Sequence, residues 1–245
     1  MEVPSMDLQL GNHDIIWIGA YSGSLALLAI ALRISLRYGH IRLLEEGYGI
    51  DLSRLAKFAD KYYEDNPAFH PRGIDKNSIR PDKFLSITKM HQAISIIQFK
   101  LEGLIIDRRP DFKMDDRKQL HIMNEDYSQI TIDGQTYPIE NGCFQLVDPE
   151  KPYELTLGEE LLILDLANQL QHSKRFKKHI DFLMSLGQLY TLNNGNLLFH
   201  GCMPCLPNGD FMPVTFQVKS YRGRSLMDFY DLAIHEAYNH PEITD

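Results

Sequence analysis

Apolar positions recur along most of this chain at the three-to-four-residue spacing of helices, broken by short runs that alternate at the spacing of strands. Leu8 and Leu10 flank a polar residue and lead into Gly11-Asn12-His13-Asp14, which reads as a strand end delivering a loop. A helix is predicted over 16–38. A second is predicted over 52–63, with Asp51 or Ser53 as its cap and Asn66-Pro67 as its stop. The polar segment through Pro71, Gly73 and Asn77 reads as a loop, and Pro81 belongs in the first turn of a long helix reaching residue 106. Its apolar stripe takes Phe84, Ile87, Ala93, Ile97, Leu101 and Leu104.

The period changes over 120–155, where Ile130 and Ile132 alternate with polar residues ahead of Asp133-Gly134, a hairpin signal; this section is expected to be strand-rich. Thr156 followed by Glu159 forms a capping-box pattern for a helix to residue 171, and another helix is predicted over 175–186. Residues 189–192, Asn194-Gly195 and 197–199 spell a second hairpin that delivers His200 at its end, with Gly201 allowing a tight exit. A last helix is predicted over 226–238. No repeat, low-complexity tract or clean linker interrupts the pattern, so 1–245 reads as one mixed helix-and-strand domain of the α/β class.

The stretch 15–32 runs eighteen residues without a charge and precedes Arg33, Arg37 and Arg42. It has the length of a membrane span. Gly19, Ser22, Gly23 and Ser24 within it, and His13 and Asp14 at its start, favour instead a helix buried on all sides.

Composition narrows the functional classes. A formal net charge of −8, with Lys and Arg dispersed among acids, offers no basic footprint for a nucleic-acid backbone. The three cysteines, Cys143, Cys202 and Cys205, point to a reducing, cytoplasmic setting without a disulfide framework.

Four places carry candidate chemistry. Gly11-Asn12-His13-Asp14 joins a compact backbone, a neutral oxygen donor, an imidazole and a carboxylate; Asn12 can ligate a divalent ion and His13 can protonate a leaving group, with Asp14 orienting its ring. The same four residues also suit a plain helix start. His200, after three apolar strand residues, occupies the position where ligating side chains gather, or is a satisfied surface histidine. Cys202-Met203-Pro204-Cys205 has redox or zinc spacing but lacks a second pair, so its thiols are expected to be structural and buried. On the long helix, His91 with Lys89, Gln92 and Lys100 faces either a ligand or solvent, and Arg108-Arg109-Pro110 either clamps a sugar phosphate or answers the helix dipole.

Taken together, Gly11 to Ala20, the block Leu44-Glu45-Glu46-Gly47-Tyr48-Gly49-Ile50, His91-Gln92-Ala93-Ile94 and Phe199-His200-Gly201-Cys202-Met203-Pro204 resemble the class III (Firmicute-type) fructose-1,6-bisphosphatases, in order and over nearly the whole chain. The resemblance implies a partial calcineurin-like metallophosphoesterase fold, helix-rich with short strands and hairpins. It implies hydrolysis of fructose 1,6-bisphosphate in gluconeogenesis by a water activated between two metal ions, typically manganese. Asn12 and His200 would ligate one metal, and His13, supported by Asp14, would serve as general acid.

Other parts of that family pattern have no match here. A Gly-Asp-x-His motif, a Gly-Asp-x-x-Asp-Arg-Gly motif and a further histidine ligand are missing; Gly209-Asp210 is followed by Phe211 and Met212, and His235 and His240 lack a strand-end context. The chain is therefore expected to be an internal piece of a phosphatase, holding part of the site, inactive alone and with exposed apolar surface. Its expected partners are the sugar bisphosphate and a complementing phosphatase fragment or a second copy, with no nucleic acid and no membrane. The competing reading is a non-catalytic remnant that serves as an interaction subunit.

Overall fold

The computed structural model describes residues 6–241. In chain order it contains β1 (Leu8–Gln9), α1 (Asn12–Tyr21), α2 (Leu25–Arg37), α3 (Ser53–Tyr62), α4 (Pro81–Arg108), β2 (Gln129–Ile132), β3 (Gln135–Pro138), α5 (Leu157–His172), α6 (Lys174–Leu186), β4 (Gly187–Gln188), β5 (Tyr190–Asn193), β6 (Asn196–Phe199), β7 (Val214–Phe216), β8 (Lys219–Tyr221) and α7 (Arg224–Asn239). Among the described residues helices dominate and every sheet has two strands: β1 pairs with β4 in parallel, while β2–β3, β5–β6 and β7–β8 are antiparallel. The mixed, helix-rich class with short strands and hairpins is thus observed. The chain forms two compact units, one from the residues up to Leu28 together with those from Gln171 on, the other from Ala29–Leu170.

In the first unit, α1 begins at Asn12, four residues earlier than the sequence suggested, and ends at Tyr21. The single helix expected over 16–38 is broken at Ser22–Ser24, where Gly23 takes φ +106°. Ser22 Oγ donates to Ile18 O and Ser24 Oγ accepts from Leu27 N, so serine side chains close one helix and open the next. No helix among the described residues is long and apolar enough to cross a membrane.

β1 is anchored by Leu10, 1% exposed, whose N–H donates to Gln188 O at 2.8 Å. The register Leu8↔Gly187 requires glycine: a Cβ on Gly187 would lie 2.4 Å from Leu183 O and 2.5 Å from Leu10 Cδ2. α6 turns Phe176, Ile180 and Met184 inward, and Phe176 meets Trp17 edge-on at 5.5 Å between ring centroids. Tyr21 lies beside both Phe176 and Tyr238, fixing α1 against α6 and α7. The Asn194-Gly195 turn has both residues at positive φ and joins β5 to β6. On this hairpin Leu192, Leu197, Leu198 and Phe199 are all exposed, as expected of apolar surface left uncovered. β7–β8 went unforeseen because its turn, Gln217-Val218, has no Asn-Gly or Asp-Gly signal.

In the second unit, α3 packs on α4 through Leu55 and Ala59, and Asp51 accepts the Ser53 N–H at 2.8 Å. α4 begins with Pro81 in its first turn, and its predicted stripe is buried except for half-exposed Leu104. Its polar face is buried too. Lys89 pairs with Asp60, His91 Nδ1 lies 2.9 Å from Phe69 O, and Gln92 donates to Glu64 O. Lys100, fully buried, donates to Leu146 O and to Glu159 Oε2, both at 2.7 Å. This corrects the expectation that these residues face a ligand or solvent: they fasten α4 to α3, to α5 and to the loops around it.

Thr156 and Glu159 form the predicted capping box at the start of α5, and the same Glu159 oxygen that accepts the Thr156 N–H accepts Lys100. Within 120–155 the strands are one hairpin, β2–β3, turning on Asp133 and Gly134 at positive φ, beside short 3-10 turns. Arg109 pairs with Asp111 at 3.1 Å and stacks over Phe112, a local use that differs from a phosphate clamp.

Candidate active site

The candidate site lies within the first unit, where β1 and β6 each hand over a side chain at their carboxyl ends. Gly11, buried and extended at φ −97° and ψ 173°, caps α1, and its N–H donates to Asp14 Oδ2 at 2.8 Å. The four N-terminal N–H groups of a helix have no partner within it, and an acid at the third helical position satisfies one of them while facing the positive end of the helix dipole. The first turn of α1 is therefore held by the sequence Gly-Asn-His-Asp itself.

Asn12 and His13 occupy the first two helical positions and are exposed. At the end of β6 the chain bends through His200 and Gly201, the latter at φ +88°. His200 Nε2 lies 3.1 Å from Asn12 Oδ1. The His200 ring also lies against Gly11, where a Cβ would come within 3.2 Å of Nδ1 and 3.3 Å of Cε1 and Cγ.

The Asn12–His200 pair has the right chemistry for one edge of a divalent-cation shell. Adjacent ligands of an octahedral ion with bonds of about 2.1 Å lie about 3.0 Å apart, close to the observed separation. A neutral amide oxygen and an imidazole add no negative charge to such a shell. The same spacing suits a hydrogen bond from an Nε2–H to the amide oxygen, and the two uses require opposite tautomers of the ring. Among the described residues no group of three or more His, Cys, Asp or Glu side chains is placed to hold a metal ion.

Of the four residues singled out from sequence, Asn12 and His200 meet, Asp14 engages the Gly11 N–H, and His13 stands at the solvent edge beside them. The ring of His13 has no hydrogen-bond partner among the described residues, so Asp14 is not engaged with it. His235 does not enlarge the set: its Nδ1 is 2.9 Å from Asp231 O within α7. Asp210 accepts from the Asn208 side chain inside its own loop.

Cys202 and Cys205 are exposed, which corrects the expectation of buried structural thiols; the segment after Gly201 lies on the surface and offers them no apolar cover. Cys143 is buried as expected, and burial pushes its thiol up to about 12. The role of Gly11 as a seat for the His200 ring was missed, because a contact between residues nearly two hundred positions apart leaves no local signal.

The sequence profile of the Firmicute fructose-1,6-bisphosphatase family matches residues 1–245. The chain is 47% identical over 243 residues to the class 3 fructose-1,6-bisphosphatase of Bacillus velezensis, covering 98% of this chain and 37% of that protein. It is 42% identical over 246 residues to the class 3 enzyme of Ligilactobacillus salivarius, covering 100% of this chain and 38% of that protein. The corresponding figures for the Enterococcus faecalis protein of the same description are 46% over 245 residues, 100% and 39%. The chain thus spans 37–39% of the length of these curated relatives. No solved structure matches it.

Proposed function

Because the chain belongs to the Firmicute fructose-1,6-bisphosphatase family, we propose that it serves the hydrolysis of fructose 1,6-bisphosphate to fructose 6-phosphate and phosphate, a step of gluconeogenesis, and supplies part of the metallophosphoesterase site. The observation that carries this reading is the 3.1 Å approach of His200 Nε2 to Asn12 Oδ1 across 188 positions of the chain. These two atoms would hold a divalent cation, manganese by the family resemblance, whose charge when bound compensates that of the phosphate. His13, exposed on the next helical position, donates a proton from its ring to the sugar oxygen as the bond to phosphorus breaks, while water adds to phosphorus from the opposite side. Asp14 supports His13 by holding the first turn of α1 that carries it.

Two donors are too few to hold a catalytic metal pair, so the remaining ligands come from polypeptide outside this chain, either a complementing phosphatase segment or a second copy. The uncovered apolar residues of β5–β6 supply a surface for such a partner. A non-catalytic role as an interaction subunit is the competing reading, favoured by the absence of a three-residue ligand cluster among the described residues.

The test is phosphate release from fructose 1,6-bisphosphate with manganese. It compares this chain with a chimera in which the chain replaces the matched 243 residues of the Bacillus velezensis protein. The expected result is an active chimera, a crippled His13→Ala variant of it and a silent chain. A folded, manganese-loaded chimera without activity would overturn the proposal.

A further inference from the structure

Gly11 stands at the meeting point of three contacts. Its N–H is one of the donors that α1 leaves without an internal partner, and Asp14 Oδ2 accepts it at 2.8 Å. That bond keeps the residue extended, at φ −97° and ψ 173°, immediately ahead of the first helical turn. The position of a side chain on Gly11 is filled by the imidazole of His200: a methyl carbon there would lie 3.2 Å from Nδ1 and 3.3 Å from Cγ and Cε1, inside the ordinary contact distance of about 3.5–4.0 Å. The far side of the same ring carries Nε2, 3.1 Å from the oxygen of Asn12, the residue that follows Gly11. The ring is thereby held between the backbone of one residue and the side chain of the next.

We infer that Asp14 and Gly11 are positioning residues for His200. Asp14 fixes the Gly11 backbone as the seat on which the imidazole rests, and the seat sets the Asn12–His200 spacing. The Asp14 oxygen that Gly11 uses is a hydrogen-bond acceptor, so the role needs an acceptor at that place and does not need its charge. A role for Asp14 as an ionic partner of His13 needs the charge and is indifferent to the seat. Only the consequence for catalysis rests on reading Asn12 and His200 as a ligand pair; the seat itself does not.

Two readouts on the metal-free chain separate these roles: amide hydrogen exchange at Gly11 and the ring-nitrogen NMR signals of His200. In Asp14→Ala, Gly11 is expected to lose protection roughly five-fold, the effect of losing a typical cap, and the His200 signals are expected to move from a single tautomer, Nε2–H donating to Asn12, toward a mixture. Asp14→Asn, which keeps the acceptor and drops the charge, is expected to restore both readouts to near the wild-type values. Gly11→Ala, with Asp14 intact, is expected to disturb the His200 signals in a chain whose circular dichroism is unchanged.

Asp14→Asn that disturbs both readouts as much as Asp14→Ala overturns the inference, and so does Asp14→Ala that leaves them unaltered. Should Asp14→Ala fail to fold, Gly11→Ala and Asp14→Asn decide the matter between them. No substrate or metal enters these measurements, so a silent chimera leaves the seat standing, and an unaltered His200 spectrum leaves the proposed hydrolysis standing.

Discussion

His200 Nε2 and Asn12 Oδ1 lie 3.1 Å apart although 188 positions separate the two residues. The approach depends on two strand ends, β1 leading into Asn12 and β6 leading into His200, and on a glycine that lets the imidazole close onto the backbone.

Removing either donor deletes half of this edge. In the chimera with the Bacillus velezensis protein, Asn12→Ala and His200→Ala are each expected to lower manganese affinity by at least about 10–100-fold, the range found when even outer partners of metal ligands are lost. Manganese titration followed by phosphate release measures it. Unchanged affinity in both variants would remove the pair from the metal site.

The seat can also be disturbed from a distance. Gly187→Ala would place a methyl 2.4 Å from Leu183 O and 2.5 Å from Leu10 Cδ2, forcing β1 away from β4. Overpacking of this kind costs about 1–3 kcal/mol. Urea unfolding is expected to show that loss, together with altered His200 ring-nitrogen signals, since Leu10 precedes Gly11. A variant as stable as the parent would show that the strands tolerate the separation.

Lys100 and Glu159, both fully buried and 2.7 Å apart, form an ion pair between α4 and the start of α5. Lys100→Met alone leaves a buried carboxylate without its cation and is expected to cost about 3–5 kcal/mol. Lys100→Met with Glu159→Leu removes both charges and is expected to recover part of that loss, although the Glu159 bonds to Thr156 go with it. Denaturant midpoints of the parent, Lys100→Met and the double variant decide it; a double variant no more stable than Lys100→Met would contradict the account.

Cys143 gives a pH-dependent prediction. Burial pushes its thiol up to about 12, against about 8.5 in an unfolded chain. Between those values the unfolded chain releases the proton and the native one retains it, so this group's contribution to stability is full below about pH 8.5 and declines as the pH rises toward 12. Burial shifts Tyr63 in the same direction. Urea midpoints should fall between pH 8 and 10, and fall less in Cys143→Ala. At pH 8 a thiol reagent should modify the exposed Cys202 and Cys205 and spare Cys143, whose burial both shields the sulfur and disfavours its thiolate. Equal labelling of all three would contradict the burial.

Local chemistry was the legible part of the fold. Asp133-Gly134 and Asn194-Gly195 turned their hairpins, Pro81 opened α4, and Thr156 with Glu159 opened α5, each because the residue meets a backbone need within three or four positions. The break at Gly23 was hidden by the apolar run around it, since hydrophobic periodicity does not register a single left-handed residue. The polar face of α4 misled for a different reason. Lys89, His91, Gln92 and Lys100 are buried because distant segments bring them partners, carboxylates from α3 and α5 and carbonyl groups from the intervening loops, and nothing in the helix's own sequence announces those partners. At the site, the Gly-Asn-His-Asp cluster was visible, while the way Asp14 is used depended on the helix starting at Asn12.

The Lys100–Glu159 pair also bears on how this sequence can drift over generations. Either residue changing first leaves its partner as a lone charge in the interior, a step that selection for a folded chain removes. The two positions are therefore inherited as a unit, and a lineage can leave the pair only by exchanging both residues together or by first gaining enough stability elsewhere to survive the intermediate. Sequences descended from this one should keep both residues or neither.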